Sequence, residues 1–379
     1  MLAGCSKKRD SQEDAVPDGA LDEWCTNALV HGDLPSREAR YYKKLVSGKV
    51  RCDVCPQRCV VAPGKRGGCR SRVNLDGSLH TLVYGNLCMV DRASTKGVSI
   101  GYALLDGSIL RIRAAGCCMN CDFCITHETS QANPENVPSC RYTPEALVAL
   151  AKASGCKVIA FTGNEPITFI EYTLDTARLA KKAGLLTHLS TAGNGLLEPL
   201  KDLMPHIDAA EVGLKGFSRE FYEKHTGDGD FEAILRSTRL IGKSVEQLTV
   251  GYVMIPGLND QLDLVKQMLS WAFQSFGPET MIILYRFMPS HKLSHLPMMD
   301  LQTMQAAKRL GEDLGFHYVF IQDYAGELVQ NELKCHNCAK TIARRSNGKT
   351  ERWVVGGKCQ HCGAIVHLPG ARRASAVPL

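Results

Sequence analysis

Residues 109–127 read ILRIRAAGCCMNCDFCITH, a short apolar strand, Ile109–Arg113, running straight into a cysteine-rich loop. Within that loop Cys117, Cys121 and Cys124 are spaced C-x3-C-x2-C, with Phe123 before the last. Three thiolates from one short loop hold three irons of a cubane cluster and leave the fourth iron without a protein ligand. A structural zinc instead takes four ligands in a closed tetrahedron, and an ordinary cluster protein supplies four cysteines. An open iron suits a chemically active cluster, because a small molecule chelates it. Cys118 leaves other readings open: a substitute for Cys117 in a C-x2-C-x2-C set, a fourth thiolate that closes the cluster, or a neighbour of the trio.

Working outward, short apolar runs alternate with amphipathic segments. Strands are expected at Leu82–Val90, Ile109–Arg113, Val158–Phe161, Leu186–Ser190, Ala209–Leu214, Leu248–Ile255, Met281–Phe287 and Tyr318–Ile321. Helices are expected at Pro144–Ala153, Phe169–Ala183, Phe231–Ile241, Leu262–Phe273 and Leu301–Leu314. This alternation implies βαβ crossovers and a parallel sheet. Its length suits a full or partial (β/α) barrel over residues 81–330, better than a doubly wound sheet. The loop at 114–127 then lies at the catalytic, C-terminal face of the strands.

The chain has 379 residues, 45 Lys+Arg and 39 Asp+Glu, and ordinary apolar content, which excludes disordered and fibrous classes. Its net charge of +6 is too mild to argue for nucleic acid. The 17 cysteines are the outlying number, and clusters of them in a chain of this length point to metal. Leu2–Cys5 is like a lipoprotein cleavage box, but one Met precedes it where an apolar stretch is required. No run is long enough for a membrane helix. A cytoplasmic protein with reduced thiols is expected.

Two further cysteine sets flank the barrel. Cys52, Cys55, Cys59 and Cys69 form C-x2-C-x3-C-x9-C in a loop-rich module at 51–80, and spacing leaves zinc and an auxiliary iron–sulfur cluster both open. Cys335, Cys338, Cys359 and Cys362 form two C-x2-C knuckles in a module at 331–370, a zinc-ribbon pattern. Its basic connecting stretch reads as a solvated hairpin in preference to a tRNA contact. Residues 1–50 read as a polar segment with helices near Leu21–Val30 and Ser36–Leu45, and 371–379 as a tail. Cys5, Cys25, Cys88, Cys140 and Cys156 read as buried free thiols.

The central loop resembles the radical S-adenosylmethionine (radical SAM) superfamily. The stretches 52–72, 116–131, TGNEPITFIE (162–171), LKGFSREFY (214–222) and IPGLND (255–260) look like its AmmeMemoRadiSam branch, itself similar to pyruvate formate-lyase activating enzymes. The likeness runs from about residue 50 to about 365. It implies a [4Fe-4S] cluster on Cys117, Cys121 and Cys124 whose open iron binds SAM. Reductive cleavage of SAM would then give a 5′-deoxyadenosyl radical that abstracts hydrogen from a small-molecule or protein substrate. A flavodoxin- or ferredoxin-type reductant is implied.

By the same resemblance Glu165 accepts the SAM ammonium, a charge-assisted hydrogen bond, with Thr162, Gly163 and Asn164 assisting. Asn164-Glu165-Pro166 reads equally as a helix cap. Ser190, Thr191 and Asn194 are placed for the ribose hydroxyls, or for an ordinary polar turn. Lys215 is placed for the SAM carboxylate or a substrate anion, or for solvent. His127, Tyr285, Arg286 and His291 are candidates for substrate contact. Departures from the branch include His127, the stretch TAGNG (191–195) and LYRFMPSH (284–291), all around the expected substrate cavity. Activation of a glycyl-radical enzyme and transfer of a methyl or aminocarboxypropyl group remain alternative reactions.

Overall fold

The computed structural model describes residues 34–94, 108–227, 229–323, 332–346 and 349–366. An eight-stranded sheet forms its centre. β1 (Met89–Ser94) pairs antiparallel with β2 (Ser108–Arg113). From β2 the sheet adds β3 (Cys156–Phe161), β4 (Leu186–Thr191), β5 (Ala209–Leu214), β6 (Gln247–Met254), β7 (Met281–Arg286) and β8 (Tyr318–Gln322). Each of these is parallel to the one before it. Strand order in space therefore follows strand order in sequence. A doubly wound sheet reverses its order at a switch point, so the sheet is wound in one direction, as in a partial barrel.

The crossovers are α1 (Pro144–Ala153), α2 (Ile170–Lys182), α3 (Leu197–Leu203), α4 (Arg219–His225), α5 (Phe231–Ser244), α6 (Leu262–Phe276) and α7 (Leu301–Asp313). Side-chain caps fix four of their starts: Thr143, Ser218, Asp230 and Asp300 each accept from the backbone N–H three residues on. Alternation along the strands divides the buried residues into two faces. Leu110, Ile112, Ile159, Phe161, Leu189, Val212, Val250, Leu284 and Ile321 pack with the helices in the main core. On the opposite face Ile109, Val158, Ala160 and Ala209 form a smaller cluster. Met281, Ile283, Tyr318 and Phe320 carry that face onward and pack against Leu333, Ile342 and Val366 of the C-terminal module.

The expected helix near Ser36–Leu45 is instead two strands, Arg37–Glu38 and Tyr42–Lys44. Pairing overrides helix propensity here. Arg37 and Glu38 bond to Thr81 and His80, Tyr42–Lys44 bond to Val50–Cys52, and Tyr41 turns the chain at φ 56. The expected strand Leu82–Val90 is broken by a turn at Gly85 (φ 77) into Asn86–Leu87 and the start of β1. Short helices α3 and α4 were not apparent from periodicity. The expected helix near Leu21–Val30 and the tail 371–379 lie outside the described residues. Among the described residues no helix is long and apolar enough to cross a membrane. Cys88 and Cys156 are buried free thiols, whereas Cys140 is disulfide-bonded, correcting the expectation for it. Cys5 and Cys25 lie outside the described residues.

Candidate active site and metal centres

The loop after β2 is held in place from several sides. Asn120 and Asp122 donate their amides to the carbonyls of Thr226 and His225 at the end of α4 (2.8 and 2.9 Å). Gln131 Nε2 donates to the Cys121 carbonyl at 3.3 Å, and Ser290 Oγ to the Phe123 carbonyl at 2.9 Å. Asn164 donates to the Ala114 carbonyl at 2.8 Å and accepts from the hydroxyls of Thr126 and Thr129. Asn164 thus braces the cysteine loop with both ends of its amide.

Cys121 is buried, and burial pushes its thiol well up, while the Lys215 ammonium opposes that rise and the charges of Cys117 and Cys124 add to it. These three sulfurs and Lys215 therefore share one electrostatic neighbourhood. The Lys215 side chain folds back over Gly213 on the sheet face away from the helices, where a Cβ on Gly213 would lie 3.5 Å from Nζ. Gly213 and Gly251 are paired in register, so on two adjacent strands that face carries no side chain of its own and is crossed by Lys215 and by the Tyr285 ring. Cys118 differs from the trio. Its sulfur receives Asn194 Nδ2 at 3.6 Å and faces a cavity that Cys55 also lines.

Glu165 is fully buried at the end of β3, and burial raises its carboxyl. It accepts from Thr191 Oγ1 at 2.7 Å, from the Ala192 amide at 2.8 Å and from the Ile167 amide at 3.2 Å. Glu165 and Thr191 thereby lock the loop after β3 to the loop after β4, and the cap reading of Glu165 holds as well. Thr162 is half-buried and Gly163 exposed at the same strand end. Gly163 has φ 88, and a Cβ there would meet Arg113 Nε at 2.0 Å, so only glycine lets the Arg113 side chain cross it. Ser190 is half-buried, while Asn194 is buried and directed to Cys118.

The remaining candidates fall into two groups. His127 and His291 stack with ring centroids 4.3 Å apart beside the cysteine loop. His291 sits at φ 48, and burial, then His127, lowers its pKa. Tyr285 reaches across Gly251 to donate to Glu211 Oε1 at 2.6 Å. Burial, then the Glu211 charge, holds its phenol well above the ordinary range. Arg286 points the other way, donating to the Met299 carbonyl at 2.7 Å and to Asp323 at 3.1 Å. The structure thus gathers His127, His291, Lys215 and the cysteine trio, and separates Arg286 from Tyr285. Sequence reasoning missed Arg113, whose Nε is buried with no hydrogen-bond partner among the described residues.

At the other end of the chain the sulfurs of Cys335, Cys338, Cys359 and Cys362 all lie within 4.8 Å of one another. Cys335 and Cys362 are 3.7 Å apart, and Cys338 and Cys359 are 3.9 Å apart. A tetrahedral ion with metal–sulfur bonds of about 2.3 Å sets its sulfurs about 3.8 Å apart. The Ala364 amide, then Asn337 Nδ2, holds the Cys362 thiol down at about 6, which favours a thiolate ligand. This quartet fits a single metal ion.

The chain is 30% identical over 335 residues to the uncharacterized protein MJ0808 of Methanocaldococcus jannaschii, covering 88% of this chain and 99% of that protein. The family model for the radical SAM superfamily matches residues 112–268. The chain belongs to the radical SAM superfamily. This radical SAM protein is also 26% identical over 176 residues to a pyruvate formate-lyase-activating enzyme of Clostridium pasteurianum, covering 44% of this chain and 70% of that one. A solved domain of a pyruvate-formate lyase-activating enzyme from Bacteroides vulgatus matches at 18% identity and a TM-score of 0.37, covering 43% and 96% of the two chains. The family match takes in Cys117, Cys121, Cys124, Glu165, Thr191 and Lys215. Both flanking cysteine sets of the radical SAM chain lie outside that span.

Proposed function

We propose that the chain is a radical SAM enzyme that abstracts hydrogen from a substrate held over the C-terminal ends of the parallel strands. The observation that carries this is the grouping of Cys117, Cys121 and Cys124 with Lys215, whose side chain crosses Gly213, the partner of Gly251, on the same sheet face as Tyr285. The donor set is sulfur alone and supplies three thiolates, which suits a [4Fe-4S] cluster with one open iron. When bound, cluster and SAM supply a one-electron reductive cleavage that yields a 5′-deoxyadenosyl radical.

The protein's part is to position and to shield. Asn164 fixes the height of the cysteine loop. Glu165 offers buried carboxylate oxygens at the strand end for an ammonium group, with the Thr162 and Gly163 backbone beside it. Lys215 supplies a cation for a carboxylate, and Ser190 a hydroxyl for a ribose. Thr191 and Asn194 act through others, Thr191 by holding Glu165 and Asn194 by holding Cys118. His127 and His291, with Tyr285 deeper in, are the side chains that distinguish one substrate from another. The C-terminal quartet binds a structural zinc, the reductant is of the flavodoxin or ferredoxin type, and the setting is cytoplasmic.

The likeness to a pyruvate formate-lyase-activating enzyme favours one second reading, abstraction from a backbone glycine of a partner enzyme. The test is anaerobic incubation of the iron- and sulfide-loaded protein with dithionite and SAM. 5′-Deoxyadenosine is expected from the wild type, with a loss of at least about 100-fold in Cys121→Ala; loss of a positioned catalytic group costs on this order. Fully loaded protein that forms none overturns the reading. A doublet radical signal in a co-incubated glycyl-radical enzyme selects the second one.

A further inference from the structure

The N-terminal module is packed directly on the cysteine loop of the sheet. Gln57 Nε2 donates to the Cys118 carbonyl at 2.5 Å, Arg70 Nη2 to Asn120 Oδ1 at 3.0 Å, and the Leu196 amide to the Val54 carbonyl at 2.9 Å. Gly116 has φ 88, and a Cβ there would strike the Cys69 carbonyl at 2.4 Å. The two backbones touch at this point, and only glycine permits it.

Between them lies a small cavity walled by Cys52, Cys55, Cys59, Cys69 and Cys118, with Arg72 among its lining residues. Five thiols surround it, four from the module and one from the sheet. Arg72 is 1% exposed, and its Nη2 donates to Glu171 Oε2 at 2.5 Å. Its Nε and Nη1 have no hydrogen-bond partner among the described residues. A buried guanidinium with two idle donors is costly unless something anionic stands in front of it. What lies nearby is sulfur: Cys52, Cys55, Cys59, Cys69 and Cys118 line the same small cavity as Arg72.

Spacing separates the ligands such a cage would take. The C-terminal quartet is drawn in to the distances of one tetrahedral ion. Among the described residues it is also the only set of three or more His, Cys, Asp or Glu whose ligand atoms all lie within 4.8 Å. No three of the five thiols under the N-terminal module have sulfurs all within that distance, so they are not drawn in around one ion; an iron–sulfur cube takes one thiolate at each corner instead.

We propose that this cavity holds a second iron–sulfur cluster, ligated by Cys118 from the sheet together with thiolates of the N-terminal module and balanced by Arg72. Cys117 and Cys118 then belong to different clusters, one on each side of a single peptide unit. Cys118 is a ligand of the second site, and so does not close the first.

The experiment is anaerobic loading with ferrous iron and sulfide, followed by iron, sulfide and zinc analysis and electron paramagnetic resonance of the reduced protein. A variant with Cys117, Cys121 and Cys124 all changed to Ala isolates the second site. At four irons per cube, it is expected to keep about four irons per chain against about eight in the wild type. It should also lose the broadening that two neighbouring spins impose on each other. Adding Cys118→Ser, which is nearly isosteric, should remove at least half of the remaining iron or change the resonance, while the zinc of the C-terminal quartet stays at one per chain and reports an intact fold. Three outcomes overturn the proposal: a trio variant holding no iron, one holding a second zinc in its place, or a Cys118→Ser protein with unchanged iron and resonance. None of them touches the formation of 5′-deoxyadenosine by the wild type, so this inference and the proposed function fail separately.

Discussion

At the C-terminal end, Cys335, Cys338, Cys359 and Cys362 come from two knuckles of one small module, and their sulfurs are already at the spacing of a single ion. At the N-terminal end, Cys52, Cys55, Cys59 and Cys69 share their cavity with Cys118 of the sheet and with a buried arginine. The first site is self-contained, and its module rests on β7 and β8 through Met281, Ile283, Tyr318 and Phe320. The second is a joint between two parts of the chain. A metal in the first mainly folds its own module; a metal in the second also ties that module to the loop that carries the chemistry.

The largest effect should come from emptying the self-contained site. Binding of structural zinc to small modules is worth about 10–16 kcal/mol near neutral pH and is largely folding energy. Cys335→Ser combined with Cys338→Ser should therefore remove all zinc and open residues 332–366 to protease, with iron content unchanged. Retained zinc, or iron lost in step with it, would break the comparison.

A smaller effect tests the joint. The Arg72–Glu171 pair is buried, with both side chains about 2% exposed, and it links the N-terminal module to α2. Removing one member of a buried pair leaves the other charge uncompensated, at a cost of about 3–5 kcal/mol. Glu171→Gln should lower the unfolding free energy, measured by urea titration, by that amount. The Arg40 amide, which donates to Glu171 Oε1 at 2.8 Å, can still bond to the glutamine oxygen. A loss below about 1 kcal/mol, the size of an exposed pair, would mean that the charges at the joint do not depend on each other.

The sequence carried most of the fold because the sheet is built from local signals. Seven strands and five helices announce themselves through period-2 and period-3.6 patterns, and Ala209–Leu214 and Pro144–Ala153 match the expected bounds. The cysteine trio was legible for the same reason, since its three ligands fall within eight residues. What could not be read were contacts between distant segments. Nothing near Cys118 foretells Cys55, and nothing near Arg72 foretells Glu171, 99 residues away. Asn164 and Asn194 were assigned to the cofactor by position alone. Their amides also bond to Ala114 and Cys118, a matter of side-chain direction that spacing does not encode. Ser36–Leu45 went wrong because its partner strands lie at Val50–Cys52 and Ser78–Thr81.

The sheet face between the two cysteine ends provides the smallest test and a control for the others. His188 on β4 is 5% exposed, its Nε2 has no partner among the described residues, and burial pushes its pKa from 6.5 down to about 4. The unfolded chain therefore binds a proton between about pH 6.5 and 4 that the folded chain refuses. Stability contributed by the neutral ring is fully present above pH 6.5 and is lost as pH falls through that window. That fall in pKa corresponds to at most about 3–4 kcal/mol. Acid also protonates thiolates, so any metal held at either cysteine end would be released over part of the same range, and the slope of wild-type stability against pH would mix these causes. His188→Gln removes the imidazole and leaves both metal ends as they were. The difference between the two slopes, measured by urea unfolding from pH 7 to 4, should then be as much as about 1.4 kcal/mol per pH unit, the contribution of one proton. Equal slopes would mean that His188 contributes nothing to the acid response.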